Sequence, residues 1–228
     1  AGETIRVAVF VTHGSGATFQ TELPFVKLLI GSIKFSPEKG NQLNLTVENS
    51  PSSVTYVNLT SVTIFVNDRF EEAYVVEPRL PLALNPGDRC NLTCLWVWTI
   101  HQNETFTVIV NTLQGYKGKA GSYVPTYVTL RISSILFDPA NPSKFNVTVT
   151  NDQSSVIPVN LTGVYITFVN GTSVGAIVLS PRLPYTLHQN ETVTLVCLWD
   201  WSMYRGKEIK LTIITLERYK TSKMCKTP

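Results

Sequence analysis

Eight Asn-x-Thr triplets punctuate the chain, at Asn44, Asn58, Asn91, Asn103, Asn146, Asn160, Asn170 and Asn190. The side-chain amide nitrogen of such an asparagine is the acceptor for an N-linked glycan. Chance placement of this chain's Asn and Thr would give roughly two triplets. Every triplet here uses Thr. The abundance of Thr in strands accounts for part of the excess. The rest predicts N-linked glycans, and with them a location outside the cytoplasm.

Other chemistry is harder to find. The pentapeptide His-Gln-Asn-Glu-Thr occurs at 101–105 and again at 188–192, inviting a His/Glu metal or acid–base reading. Each copy precedes a strand pattern and holds a triplet, so polar glycosylated turns are the better account. His13 sits beside a glycine-rich joint with no partner in sequence. No nucleophile elbow, phosphate loop, dinucleotide fingerprint or zinc-protease motif is present. The expectation is no enzyme, no metal and no cofactor beyond glycans.

The four cysteines, Cys90, Cys94, Cys197 and Cys225, allow three pairings. Cys90 and Cys94 on one strand would stand about 13 Å apart, too far for a disulfide or a shared zinc. A Cys197–Cys225 link is compatible with one domain and leaves Cys90 and Cys94 as buried thiols.

Composition narrows the partners. Of 228 residues, 43% are apolar and only 15% charged, against about 25% charged in an ordinary soluble domain. The net charge of +3 gives no basic face for nucleic acid. The C-terminal cluster Arg218, Lys220, Lys223 and Lys226 reads as a solvated tail. No apolar run approaches the ~18 residues of a membrane span. An alanine at position 1 is what removal of a secretory signal peptide leaves, and also what a start chosen for recombinant expression can leave.

These residues sit on a duplicated frame. "LNLTVEN" at 43–49 recurs as "FNVTVTN" at 145–151, "VNLTSVTIFVN" at 57–67 as "VNLTGVYITFVN" at 159–170, and "LTCLWVW" at 92–98 as "LVCLWDW" at 195–201. "PRLP" at 78–81 returns at 181–184, with an offset of 102 residues that becomes 103 after one insertion. Alternation is clear at Leu43, Leu45, Val47 and at Leu92, Cys94, Trp96, Trp98, and in both counterparts. It predicts an all-β chain of two tandem immunoglobulin-like β-sandwich domains, 21–121 and 122–228. The four Trp share the parity of the cysteines, so core packing is expected of them, with a sugar-binding platform as the alternative. Asn44, Asn91 and Asn146 alternate with inward residues and should face solvent.

The segment 1–20 precedes the duplication. Ile5, Val7, Val9 and Val11 form one apolar face of a strand, and Gly14-Ser15-Gly16 follows as a hinge. About six strands are countable in each repeat, one short of a seven-stranded sandwich. Either the strand folds back as the seventh strand of its own first repeat, or it leaves and completes a sandwich in another copy. Donation that does not close produces a filament.

With "TIRVAVFV", the following "GSG", the tandem repeat and the Asn-x-Thr density, the chain resembles the subunit of the archaeal thread, a heavily glycosylated surface filament similar in logic to chaperone–usher pilins. The resemblance implies an N-terminal donor strand, two sandwiches and a homopolymer linked head to tail by donor-strand complementation. The alternative is a secreted or surface-layer glycoprotein or adhesin with two immunoglobulin-like binding modules and a cis-paired N-terminal strand.

Overall fold

The computed structural model describes residues 4–10, 12, 14, 16–22 and 25–228, with backbone only for Thr4, Ile5, Thr21 and Glu22. Val11, Ser15, His13 and the Ile5 side chain lie outside the described residues.

The architecture is all-β. A two-stranded hairpin comes first, β1 (Thr4–Phe10) with β2 (Gly16–Glu22). The first repeat contributes β3 (Leu28–Phe35), β4 (Gln42–Asn49), β5 (Val57–Val66), β6 (Arg69–Glu77), β7 (Leu82–Leu84), β8 (Arg89–Leu95), β9 (Thr105–Thr112) and β10 (Lys117–Tyr123). The second repeats the series as β11 (Leu130–Phe137), β12 (Lys144–Asn151), β13 (Val159–Phe168), β14 (Ser173–Ser180), β15 (Tyr185–Leu187), β16 (Thr192–Leu198), β17 (Glu208–Thr215) and β18 (Lys220–Lys226).

Strand order is the same in both repeats: β10-β9-β5-β6-β8-β4-β3 and β18-β17-β13-β14-β16-β12-β11, with β7 and β15 attached to β5 and β13. One strand in each changes layers. β6 pairs with β5 through Arg69–Ala73, then with β8 from Tyr74 onward. β14 likewise pairs with β13 up to Ala176 and with β16 from Ile177. A register irregularity marks each β6–β8 and β14–β16 ladder, as expected where a strand turns a corner between layers.

Alternation builds the cores. In β4, Leu43, Leu45 and Val47 are buried, and in β12 Phe145, Val147 and Val149. Leu92, Cys94, Trp96 and Trp98 are all buried, but the strand ends at Leu95 and Trp98 opens a 3-10 turn. Trp98 donates its indole N–H to the Gln42 carbonyl at 3.0 Å, and Trp201 donates to the Lys144 carbonyl at 3.3 Å.

By compactness the chain falls into two units. The first takes the chain up to Lys34, Leu43–Trp96 and Thr105–Tyr123. The second takes Phe35–Gln42, Val97–Glu104 and Val124–Pro228. Two short segments of the first repeat thus belong to the second unit. Within it, Trp98 meets Phe35, Tyr127 and Tyr219 at ring-centroid distances of 5.1, 5.5 and 6.0 Å. Gly40 belongs here too, and a Cβ on it would stand 1.9 Å from the Glu217 carbonyl oxygen, so only glycine fits.

Three expectations change. Neither repeat is a strand short, because β10 and β18 complete both sandwiches. Their sequences, KGKAGSY and KTSKMCK, lack apolar alternation because they are edge strands, whose lysines discourage pairing with other chains. The expected domain boundary between 121 and 122 therefore falls within a strand, β10. Finally, Gly14 (φ +87°) and Gly16 serve a hairpin: Gly16 opens β2 and pairs with Phe10. β2, with the sequence GATFQTE, is too polar to read as a strand.

Candidate functional site

The sequons occupy two kinds of place. Asn44, Asn58, Asn91, Asn146 and Asn160 lie within strands, on the faces turned away from the cores. Asn91 is exposed and the other four are half-buried. Asn103, Asn170 and Asn190 lie in turns and are exposed. Asn103 and Asn190 adopt left-handed backbone, φ +69° and +61°, which Asn tolerates better than most residues.

Local partners differ from site to site. Thr46, the third residue of the Asn44 triplet, donates its hydroxyl to Asn91 Oδ1 at 2.9 Å. Two sequons therefore interlock on the outer face of β4 and β8, beside a cleft of about 250 Å³ lined by Ser32, Lys34 and Asn44. Asn160 is held at both ends of its amide. Its Nδ2 donates to Glu217 Oε1 at 2.7 Å and its Oδ1 accepts the Thr186 hydroxyl at 2.7 Å. In Asn58, the counterpart, the backbone N–H donates to Gln114 Oε1 at 3.0 Å. Asn146 Oδ1 is buried without a hydrogen bond.

The two His-Gln-Asn-Glu-Thr copies fold differently. His101 is buried, with Nδ1 2.7 Å from Glu104 Oε2. His188 is exposed, and its backbone N–H donates to Glu191 Oε2 at 2.7 Å. Glu191 also accepts the Tyr185 hydroxyl at 2.6 Å, which with the His188 amide holds its carboxyl below the ordinary value.

All four cysteines are free thiols. The expected Cys197–Cys225 link is not formed: Cys197 lies on β16 in one sheet and Cys225 on β18 in the other, and both thiols are free. Burial pushes the Cys94 and Cys197 thiols up to about 12 and also raises Cys90 and Cys225. These thiols stay protonated and unreactive near neutrality.

The N-terminal hairpin is the other candidate. Its seven cross-strand pairs run from Thr4↔Glu22 to Phe10↔Gly16. Every described side chain in it is exposed, including Val7 (46%), Val9 (59%), Phe10 (83%) and Phe19 (67%).

One pair of residues escaped the sequence reading. Asn49 and Asn151 are fully buried at the ends of β4 and β12. Asn49 Nδ2 donates to the Thr55 and Leu84 carbonyls, each at 3.0 Å, and Asn151 Nδ2 to those of Ile157 (3.3 Å) and Leu187 (3.1 Å). The available signal was an Asn recurring in both copies at an inward position.

No protein-family model matches the chain, and no curated protein matches it in sequence. Among solved structures it is similar to the class 5 fimbriae chaperone CfaA, at 10% identity over 89% of this chain and 100% of that one, TM-score 0.30. It is also similar to a tetra-tandem repeat in the extending region of a large adhesion protein, at 11% identity over 98% of this chain and 56% of that one, TM-score 0.29. A third is the Yersinia pseudotuberculosis adhesin InvE, at 14% identity over 89% of this chain and 58% of that one, TM-score 0.28. The chain thus spans little more than half of the two adhesin structures, and what it shares with all three is a distant likeness of β-sandwich fold.

Proposed function

We propose that the chain is a structural subunit of a glycosylated extracellular filament, a non-enzymatic protein whose N-terminal strand pairs with another copy of itself. The observation that carries this reading is the hairpin. A two-stranded hairpin is marginally stable in water on its own. Among the described residues β1 pairs only with the polar β2 and leaves Val7, Val9 and Phe10 exposed. Burying a Val or Phe side chain contributes roughly 1.5–3 kcal/mol. Moving β1 from β2 to a sheet edge of the next copy keeps its ladder bonds and adds that burial. Since both sandwiches have their full strand complement, the donated strand adds at an edge other than the lysine-bearing β10 and β18, such as β3 or β11. The sequons, turned away from the cores, support an extracellular home.

A second reading has its own observation. The β1–β2 register itself is a cis pairing, as in a surface glycoprotein or adhesin whose N-terminus stays within its own chain. Electron microscopy and light scattering of native protein separate the two. The filament reading expects threads that disappear on deletion of residues 1–12, leaving monomers or short oligomers. Monomeric full-length protein, or threads that survive the deletion, would sink it.

A further inference from the structure

The hairpin joining β13 to β14 has the sequence Phe168-Val169-Asn170-Gly171-Thr172. The Phe168 N–H donates to the Thr172 carbonyl and the Gly171 N–H to the Phe168 carbonyl, both at 2.9 Å, and Gly171 has φ +84°. This is a three-residue loop ending in a left-handed glycine bulge. It sets Phe168 and Thr172 opposite each other, so their side chains share one face. Asn170 Oδ1 accepts both the N–H of Thr172, at 3.0 Å, and its hydroxyl, at 2.7 Å. That draws the Asn170 side chain to the same side. Its Nδ2 has no protein partner among the described residues.

Phe168 is half-buried and stacks on Tyr204, centroids 4.6 Å apart and planes at 25°. Tyr204 stacks in turn on Trp199 at 5.4 Å and 26°. All three residues are half-buried at this end of the second repeat. Of the other seven sequons, only Asn58 has a Phe, Tyr or Trp two places earlier, Tyr56. There the chain enters a strand with no turn between, and extended residues two apart stand about 6.6 Å from one another. In the first repeat the matching turn is Asn67-Asp68, both left-handed (φ +49° and +58°), with no sequon and with the buried Val66 where Phe168 stands.

We propose that the first pyranose of an N-linked glycan on Asn170 folds back onto Phe168 and covers the half-buried Phe168–Tyr204–Trp199 stack, making that sugar a packed part of the sandwich. This rests on the reading that the sequons are glycosylated. The donor is a lipid-pyrophosphate-linked sugar. Its anomeric C–O bond breaks with the electron pair leaving on pyrophosphate, the C–N bond forms at Asn170 Nδ2, and one amide proton goes to the transferase's base. The turn then presents the sugar's C–H face to the electron-rich face of Phe168.

The test uses the full chain secreted from an N-glycosylating host and trimmed by endoglycosidase to a single N-acetylglucosamine per site, with occupancy read by glycopeptide mass spectrometry. NMR should show nuclear Overhauser contacts from the Asn170 sugar to Phe168, and upfield shifts of its ring protons. Asn170→Gln should lower the Tm by roughly 2–4 °C, while Asn44→Gln leaves it unchanged. In a Phe168→Leu background the Asn170→Gln effect should shrink to the part left by loss of the Asn170–Thr172 hydrogen bonds. An Asn170 sugar with unshifted protons and no contact to Phe168 overturns the proposal, as does an unmodified Asn170 when other sites are occupied. Absence of sugar from all eight sequons would instead overturn the glycosylation reading beneath it.

Discussion

The two repeats solve one packing problem in two ways. At the end of the first sandwich, Phe106 on β9 stands opposite Val66 on β5. At the same rung of the second, Ile209 on β17 stands opposite Phe168 on β13. The aromatic ring has moved across one inter-strand gap, with an aliphatic residue taking its former place. Volume is nearly kept, which cores tolerate well. The neighbouring tryptophan follows its ring. Trp96 lies 5.3 Å from Phe106, 5% exposed, and donates its indole N–H to Glu71 Oε2 at 2.6 Å. Trp199 is half-exposed and stacks on Tyr204 instead. By strand pairing, Val174 stands where the first repeat has Glu71. A duplicated frame thus keeps its β-ladders while one end is rebuilt, and the rebuilt end is the one beside a sequon.

What has not diverged should show the largest effect. Asn49→Ala strands the Thr55 and Leu84 carbonyls, and Asn151→Ala those of Ile157 and Leu187. A buried polar group left without its partner costs about 1–3 kcal/mol, so each substitution should cost about 2–4 kcal/mol. The two should agree closely in urea or thermal unfolding of the full chain. A large Asn49→Ala effect beside a negligible Asn151→Ala effect would break the equivalence of the two frames.

The rebuilt end should show a smaller and unequal effect. Trp96→Phe removes a hydrogen bond to a carboxylate, a kind worth about 1.5–3 kcal/mol. Trp199→Phe removes no hydrogen bond among the described residues and should cost less than about 1.5 kcal/mol. Glu71→Gln in the Trp96→Phe background should then add little, since the pair is already broken. Equal losses at Trp96 and Trp199 would mean that the Glu71 contact adds nothing.

Much of the frame was legible because its signal is the burial alternation itself. Leu43, Leu45 and Val47, and Leu92, Cys94, Trp96 and Trp98, all point inward as read. The missed strands share a cause. β2, β10 and β18 are edge or isolated strands whose side chains need not alternate, and β10 carries glycines where Gly118 packs against Leu28. β6 and β14 change layers midway, so neither keeps a single buried face. The match of "FVN" at 65–67 to "FVN" at 168–170 was misleading. Strand pairing puts Phe65 level with Thr167, and Val66 with Phe168, because the inserted residue lies in the turn. Side-chain period two turns that one-residue slip into opposite faces. Among the sequons, the outward strand positions were legible. The hold of Glu217 on Asn160 was not, since that contact joins residues 57 apart.

Acid should separate the repeats least, but in a definite direction. Three carboxyls in the second repeat lie below their ordinary values. Hydrogen bonds from the Ser154 backbone and hydroxyl hold Asp152 down, with help from Arg131. The Ser202 hydroxyl and backbone hold Asp200, and the Tyr185 hydroxyl and His188 amide hold Glu191. Each binds its proton less readily folded than unfolded. Their stabilisation is therefore complete above the ordinary carboxyl values of 3.8 and 4.5 and is lost as pH falls below these through the folded values. All three groups are close to solvent, so the effect is small. Glu191 is the sharpest probe, because the first repeat has Leu82 opposite Leu59 where the second has Tyr185 opposite Leu161. Glu191→Gln should lower the Tm of the full chain slightly at pH 6, and the difference should shrink as pH falls below 4.5 and the native carboxyl takes up its proton. A Tm difference that stays constant across that range would mean the Tyr185–Glu191 bond does not depend on the charge, and that the two repeats respond to acid alike.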